Sequence, residues 1–477
     1  MENIKRNKID FTEGKIFFKL LRFILPIVAT NLLQTFYNAA DMIVVSLSHE
    51  KNAVGAIGVT GPFIHLIVNI FIGFSVGANV VVAKQIGARD KERTQNAVHT
   101  AILMAVIFGV IGMLLGVAVA RPILRGMGNQ GNLLDLAVKY TYIYFLGVPF
   151  LALTNYLIAI FRAKGDSKTP LIVLSLAGLL NVGLNIFFVL VVGLSVEGVA
   201  IATSVANLAS FVALIVKLRR DEDYTTFSLK RLKIERESFK DIVVNGVPAG
   251  VQGALFSLSN LLIQSSVVTV NNSLVPEGTE YAPVLNGSAA AGNLEGFIYM
   301  AMNAVYQGAI TVTSQNIGAK KTRRVKRILY SCLLTVFAVG VLTSGLTYLF
   351  RKPLLSLYGV KGGVEGSLEA LAMEAAMVRF RLIVLPYFLC GFMDVCSGVL
   401  RGMGKSIVST MISLVGACLM RVVWLWTVFP AHPTLEVIFI SYPITWILTT
   451  ATAFIMIQTL LKKMIRSRER QEALCGE

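Results

Sequence analysis

Long apolar stretches alternate with short polar segments along the whole chain. Residues 97–120, 170–192 and 328–350 are three stretches of about 20 residues without a charged side chain. An α-helix rises about 1.5 Å per residue, so a stretch of this length crosses the roughly 30 Å of hydrocarbon in a lipid bilayer. The pattern therefore predicts membrane-spanning helices.

Twelve segments fit this description, and we predict an all-α polytopic membrane protein with twelve transmembrane helices. The predicted crossings are about residues 18–47, 53–83, 97–120, 135–160, 170–192, 196–217, 238–270, 287–317, 328–350, 370–400, 406–429 and 435–461. Because the number of crossings is even, both termini are expected on the same side of the membrane.

Composition supports the membrane prediction. The 477 residues are 55% hydrophobic and only 15% charged, which is too apolar for a soluble surface around one core. The net charge of +17 does not point to nucleic acid, because Lys and Arg cluster in the gaps between apolar segments. A lipid bilayer is the partner that this composition requires.

The basic residues also predict the orientation. Positive charge is retained on the cytoplasmic side during insertion, and the basic clusters fall on alternate connections. The segments that carry them are residues 5–15, 84–93, 162–168, 217–240, 320–327, 401–405 and 462–470. We therefore expect a multi-pass protein of a bacterial inner membrane with both termini in the cytoplasm.

Two pairs of loops repeat along the chain. "KQIGARDKER" at 84–93 returns as "SQNIGAKKTRR" at 314–324, and "FRAKGDSKTP" at 161–170 returns as "LRGMGKSIVS" at 400–409. The order of the matched features is kept, which predicts two six-helix halves. The predicted parts are an N-lobe at 1–217, a linker at 218–237, a C-lobe at 238–461 and a cytoplasmic tail at 462–477.

Six crossings return the chain to its starting side, so the two halves are expected to share one orientation. They would be related by a pseudo-two-fold axis along the membrane normal, with a cleft between the lobes. Rocking of two lobes about such a cleft is a common route to alternating access. The duplication therefore favours a transporter over a channel.

Few polar side chains lie within the predicted crossings, and Asp41 is the first candidate for function. It lies about 28 Å along a straight helix from Arg22, and Asn185 lies about 22 Å from Pro170, so both fall at a similar level of the outer half. Thr203, near the start of an inward-running helix, falls there too. A carboxylate beside amide and hydroxyl oxygens can bind Na⁺, or it can instead carry a proton.

Two further asparagines belong to this hypothesis. Asn181 lies four residues before Asn185 on the same helical face, although interhelical hydrogen bonding explains such a pair as well. Asn155 fits less well, because it lies only about 10 Å from the inner loop on a straight helix. By the repeat, Asp394 is the C-lobe counterpart of Asn155, where an acidic group suits a cationic substrate or a proton.

Glu295 and Arg421 are the other charges of note within the crossings. Arg421 lies about 24 Å along its span, and Glu295 lies near the outer start of its own. We predict that they form an interhelical ion pair, and we favour this structural role over direct substrate contact. Arg162 and Arg401 are interpreted as loop residues that anchor in the lipid headgroups.

The loops and the polar residues together resemble the multidrug and toxic-compound extrusion (MATE) family over nearly the whole chain. The likeness rests on Pro26, Gln34 and Asp41 in "LPIVATNLLQTFYNAADMIVV", on the "IGARD" and "IGAKK" loops, and on "NVGLNIFFVLVVGLSVEGVAIAT" at 181–203. It implies a two-lobed antiporter that exports organic, cationic, amphipathic compounds in exchange for Na⁺ or H⁺. Such a protein needs no cofactor besides the coupling ion, and we expect it to act as a monomer.

The resemblance also implies roles for single residues. The cation-coupling positions match Asp41, Asn155, Asn181, Asn185 and Thr203, with Asp41 and Asn185 as metal ligands if the ion is Na⁺. The expected substrate-binding residues are Gln34, Tyr37, Asp394, Glu295 and Tyr299, and Pro26 and Arg421 are expected to be structural. Asn185 stands where some members carry a second aspartate, and the seventh crossing lacks an acidic residue of other members. These departures leave the coupling ion open.

Other functions fit the sequence less well. A flippase for a lipid-linked oligosaccharide has a similar two-lobed bundle, but its cleft should be cationic. We place only one basic residue, Arg421, well inside a crossing, against the acidic Asp41, Glu295 and Asp394. A major-facilitator transporter usually carries a G-x-x-x-D-R/K-x-G-R-R pattern that "IGARDKERTQ" lacks. An enzyme is disfavoured by four scattered histidines and by the lack of a P-loop or nucleophile elbow.

Overall fold

The structure is a computed structural model that describes residues 9–475 except 49, 51, 277, 278, 280 and 365, with side chains to residue 470. The first eight residues, whose positive charge enters the predicted orientation, lie outside the described residues. Helices cover almost all of the rest. Their bounds are α1 Ile16–Ser46, α2 Ala53–Gly87, α3 Lys91–Gly126, α4 Gly131–Ala163, α5 Lys168–Ile186, α6 Val196–Arg220, α7 Arg236–Leu274, α8 Pro283–Gly318, α9 Thr322–Leu349, α10 Arg351–Leu357, α11 Leu368–Arg379, α12 Phe388–Gly402, α13 Ser406–Ser413, α14 Met420–Thr427 and α15 Leu435–Cys475.

The predicted twelve-helix membrane fold is confirmed. Among the described residues, ten spans are long and apolar enough to cross a membrane. They are α1 to α7, α9, the stretch from α13 through α14, and α15. The tenth crossing of the sequence is α11 and α12, two helices bent by 42° at a short break after Val384. Pro386 lies in that break and cannot donate the hydrogen bond that would continue the helix.

Helix α8 is the remaining one of the twelve crossings and the eighth in chain order. It is more polar than the ten spans named above. Its 36 residues are long enough to span the bilayer. They include Asn293, Glu295, Asn303 and Gln307, which are costly against lipid and are therefore expected to face protein or water.

The internal repeat is visible in the backbone. Arg89 and Lys320 end the "IGAR" and "IGAK" turns, and both have positive φ, 58° and 57° respectively. They are the non-glycine residues with positive φ in the described part of the chain. Gly165 and Gly404 occupy the other pair of repeated loops and have φ of 79° and 73°. Each pair of matched loops therefore makes the same left-handed turn.

Packing divides the chain into two compact units. Of the described residues, unit 1 comprises those within 9–14, 22–254 and 314–320, and unit 2 comprises those within 15–21, 255–313 and 321–475. Unit 1 thus holds the first half of α7 and the end of α8 in addition to most of α1 and all of α2 to α6. The predicted lobe boundaries at 217 and 238 follow the loop repeat instead, and they stay a prediction.

The first half of α7 packs very closely against α2 within unit 1. A Cβ atom on Gly73 would lie 2.2 Å from the backbone nitrogen of Gly250, and one on Gly77 would lie 2.3 Å from the carbonyl oxygen of Ile242. Small residues allow helix backbones to approach in this way in membranes. Glycine is therefore required at these positions for this packing.

Gly73→Ala is expected to destabilise unit 1 by about 1–3 kcal/mol, because backbone must move to admit the methyl group. Thermal denaturation in detergent, followed by size-exclusion chromatography, measures this change. Gly58→Ala in the same helix is the matched control, since nothing lies within 4 Å of its Cβ position. Equal melting temperatures for the two variants would contradict this account of the α2–α7 contact.

The connection between α6 and α7 is folded onto unit 1. Asp221 and Lys164 form a buried ion pair, and Lys217 Nζ lies 3.1 Å from Asp221 Oδ1. The Ser228 N–H donates to His99 Nε2 over 3.1 Å. At the start of α7, Glu235 Oε2 accepts the Ser238 N–H at 2.8 Å, and hydrogen bonding of this kind holds the pKa of the Glu235 carboxyl below its usual value. The predicted linker is therefore ordered.

Candidate functional site

Asp41 on α1 contacts two asparagines of α5 within unit 1. The Asn185 side-chain amide donates to Asp41 Oδ1 over 2.5 Å. With the Asn181 amide in the orientation that satisfies both of its ends, its nitrogen donates to the same oxygen at 2.8 Å and its oxygen accepts from the Thr203 N–H at 3.3 Å. Four of the five predicted cation-coupling residues, Asp41, Asn181, Asn185 and Thr203, therefore form one cluster.

Helix periodicity explains why α5 supplies two members of the cluster. Asn181 and Asn185 are four residues apart and lie on one face, and both are buried. Directly after Asn185 the helix continues as a π-helix at Phe187–Val191. Such wide turns are often found at functional sites in membrane and soluble proteins.

Both asparagines direct an amide N–H at the Asp41 carboxylate, so the oxygens that the cluster leaves for a hard cation are those of Asp41 and the side-chain oxygen of Asn185. Asn185 is fully buried, and its side-chain oxygen has no hydrogen-bond donor among the described residues. A buried acceptor without a donor is costly. A bound cation beside this oxygen would satisfy it, and a proton on Asp41 would do so once the Asn185 amide turned its oxygen toward the carboxyl group. Oxygen ligands of this kind suit Na⁺. The described residues contain no group of His, Cys, Asp and Glu typical of a transition-metal site.

Asn155 lies outside this cluster in the contacts that the structure gives. Its side-chain amide donates to the carbonyl oxygen of Leu151 in its own helix at 2.9 Å. The depth argument from the sequence already separated Asn155 from Asp41. Its predicted role in coupling stays a prediction.

The N-terminal candidates for substrate binding lie on α1. Gln34 is exposed, and Tyr37 is half-buried. The Tyr37 hydroxyl donates to the Ser175 carbonyl oxygen at 3.1 Å, and its ring lies against Gly178 of α5, where a Cβ would be 1.9 Å away. Tyr37 therefore fixes α1 against the helix that carries the asparagines. Pro26 lies inside α1, and its carbonyl oxygen accepts the Thr30 hydroxyl at 2.8 Å.

Asp394 on α12 is the acidic residue of a second polar group, in unit 2. It lies within electrostatic range of Tyr299 and Tyr306 on α8 and of Arg401. The Asn303 amide donates to the Tyr299 hydroxyl at 3.3 Å, and Gln307 donates to Asn303 at 2.7 Å. Tyr299 and Tyr306 of α8 therefore lie near Asp394, and hydrogen bonds along the helix connect Tyr299 to Asn303 and Gln307.

Arg401 is not a headgroup anchor as its loop position suggested. Its side chain is only 1% exposed, and Nη2 donates to the Thr410 hydroxyl at 3.1 Å. The prediction was wrong because the last turn of α12 faces α13 and α8 rather than lipid.

The predicted ion pair between Glu295 and Arg421 is also wrong. Glu295 Oε2 accepts from Arg379 Nη2 at 2.9 Å and from Nε at 3.0 Å, and both side chains are largely buried. Arg421 instead lies over the ring of Tyr442, 4.1 Å from its centroid, and donates to the Thr445 hydroxyl at 3.0 Å. Arg379 was missed although it lies within the predicted tenth crossing, and a search for basic residues there would have found it.

The MatE family profile matches residues 26–187 and 257–427, so the chain belongs to the MatE family, a family of membrane transport proteins. The "Probable multidrug resistance protein YoeA" of Bacillus subtilis is 27% identical over 82% of each chain. The "Multidrug export protein MepA" of Staphylococcus aureus (strain MSSA476) is 24% identical over 69% of this chain and 73% of the relative. These findings confirm the resemblance stated from the sequence.

The fold is similarly shared with solved structures. One is titled as the outward-facing conformation of a multidrug resistance MATE family transporter of the MOP superfamily. It covers 98% of this chain and 99% of its own, with a TM-score of 0.85 and 20% sequence identity.

Proposed function

We propose that this chain is a secondary antiporter that exports organic, amphipathic cations and takes up Na⁺ or H⁺ in exchange. The observation that carries the proposal is the Asp41 cluster, in which one carboxylate within a membrane crossing accepts from two buried side-chain amides and lies beside the unsatisfied side-chain oxygen of Asn185. A carboxylate in hydrocarbon is costly unless it binds a cation or a proton. Membership of a transporter family and the names of the two relatives, a multidrug resistance protein and a multidrug export protein, support export as the direction.

The proposal assigns different tasks to the two units. Asp41, Asn181, Asn185 and Thr203 bind the coupling ion, and Asp394 with Tyr299 receives the organic cation. Binding of the ion drives alternating access only if the ion binds one conformation better than the other. The protein works as a monomer in the bacterial inner membrane with both termini in the cytoplasm, without enzymatic activity and without a further cofactor.

A flippase for an anionic lipid-linked compound is the second candidate, and one observation favours it. Arg421 is buried, and the ion pairs of the described residues do not include one to it. Arg379 and Arg401 lie in the crossings of unit 2 as well, so the earlier reason for rejecting an anionic cargo was wrong. Arg379 is neutralised by Glu295, however, and Arg401 lies near Asp394.

Efflux of ethidium from proteoliposomes under an imposed Na⁺ or H⁺ gradient tests the proposal. We expect one of the two gradients to drive efflux and the other to have little effect. If neither gradient moves ethidium while a fluorescent lipid pyrophosphate crosses the bilayer, the flippase is the correct function. Protein-free vesicles give the leak rate in each condition.

A further inference from the structure

Helices α9 and α15 of unit 2 pack side by side near the end that carries the basic loops. The rings of Tyr330 on α9 and Phe454 on α15 meet edge to face with centroids 6.3 Å apart. Closer to that end, Arg323 Nη2 lies 2.8 Å from Glu469 Oε1. The two contacts define a seam between the helices.

Each helix presents one continuous exposed stripe beside this seam. On α9 the stripe includes Leu334, Tyr330 and Arg327, and on α15 it includes Ile455 and Lys462. The spacing of three, four or seven residues keeps these side chains on one helical face. Apolar residues exposed along a membrane-spanning helix face lipid, so both stripes pass from lipid-facing apolar residues to basic residues.

The basic end of the seam has an unusual charge balance. Residues 320–327 and 462–470 together contain eleven Lys or Arg residues and a single acidic residue, Glu469. The segments of unit 1 that match them in the repeat, residues 84–93 and 217–240, carry twelve basic residues with seven acidic ones. Part of that charge is paired internally, as in the ion pairs of Asp221. Positive charge is therefore concentrated at the α9–α15 seam.

We propose that the seam binds an anionic phospholipid. We define the basic seam as the exposed side chains of Lys326, Arg327, Lys462, Lys463 and Arg466. The phosphodiester group lies among these side chains, and the acyl chains lie along the apolar stripes at Leu334 and Ile455. Basic residues next to a membrane-spanning helix attract anionic lipids. Tyr330, 48% exposed, lies three residues from Arg327, and aromatic rings favour the interface between headgroup and hydrocarbon.

The proposal is independent of the transport cycle and can be tested by lipid binding alone. Native mass spectrometry of the purified protein, titrated with phosphatidylglycerol or phosphatidylcholine, gives the ratio of the two apparent affinities. We expect a preference for phosphatidylglycerol that falls by about tenfold or more when Lys326, Arg327, Lys462 and Lys463 are all changed to Gln. Raising the salt concentration should reduce the preference of the unmodified protein in the same direction.

A matched control removes the same charge elsewhere. Lys230 and Lys233 on the connection before α7, and Arg236 and Lys240 at the start of α7, are also exposed. Changing all four to Gln should leave the preference intact. The exchange Lys326→Arg with Arg327→Lys should retain it too. If the fourfold variant does not fold, Lys326→Gln with Arg327→Gln should still lower the preference. Equal affinities for the two lipids, or an equal loss in the control, would overturn the proposal. Displacement of the lipid by an equal concentration of soluble glycerol phosphate would show a site for free phosphate instead.

Discussion

Asp41→Asn is expected to reduce ion-driven ethidium efflux to the leak rate of protein-free vesicles, a loss of about tenfold or more. The substitution keeps the shape of the side chain but removes its negative charge. The amide of the asparagine neither takes up nor releases a proton near neutral pH, and it binds Na⁺ far more weakly than a carboxylate does. An ion can drive transport only if it binds one conformation more tightly than the other, and the variant loses that difference in affinity. The measurement is the initial rate of efflux under the gradient that drives the unmodified protein.

Asp135→Asn is the matched control for this variant. Asp135 is an exposed aspartate that pairs with Arg121 at 3.2 Å, so its charge is screened by water and its loss should leave efflux unchanged. Full gradient-driven efflux by the Asp41→Asn protein would remove Asp41 from the coupling mechanism. An equal loss in both variants would point to a general defect in folding or reconstitution.

Breaking the Glu295–Arg379 pair is expected to cost about 3–5 kcal/mol of stability, because the remaining charge is left buried without its partner. Arg379→Met leaves the Glu295 carboxylate buried without its partner. The substitution also removes the hydrogen bond from Arg379 Nη1 to the Ser288 hydroxyl, which spans 3.1 Å. The double variant Glu295→Gln with Arg379→Met removes both charges and should regain most of the loss. Thermal denaturation of the single and double variants in detergent measures the cycle.

The exposed pair Arg121 and Asp135 provides the comparison. Both side chains are more than half exposed, and removal of either charge should change stability by less than about 1 kcal/mol. If the Glu295–Arg379 cycle shows no larger coupling than this surface pair, the buried pair does not hold α8 to α11. Efflux by a stable double variant further separates the roles: retained export supports a structural Glu295, and lost export supports its predicted contact with substrate.

The sequence predicted the crossings well because their signal is local. Apolar length and basic connections identify each helix without any knowledge of its neighbours. Helix α8 was found in the same way from its position between loops, although its polar face makes it the weakest apolar segment. The repeated "IGAR" and "IGAK" letters predicted matching loops, and the structure adds that both loops turn through a positive φ at Arg89 and Lys320.

Depth along a helix predicted part of the candidate site but not its partners. Asp41, Asn185 and Thr203 were placed at one level by their distance from the membrane edge, and the structure joins them. The same arithmetic paired Glu295 with Arg421, because it gives the height of a side chain and not the direction in which it points. Which residues meet across two helices depends on how each helix is rotated against its neighbours. That rotation comes from packing of the whole bundle and cannot be read from one segment.

The central claim is that export of an organic cation is coupled to entry of a small cation, and counterflow tests it most directly. Proteoliposomes are loaded with ethidium, with equal Na⁺ and equal pH on both sides, and the movement of radioactive sodium and of protons is followed as ethidium leaves. Because exchange is reciprocal, the outward ethidium gradient should drive one of the two ions into the vesicles, although that ion has no gradient of its own. We expect this entry with the unmodified protein and not with the Asp41→Asn variant. Ethidium efflux without entry of either ion would contradict antiport.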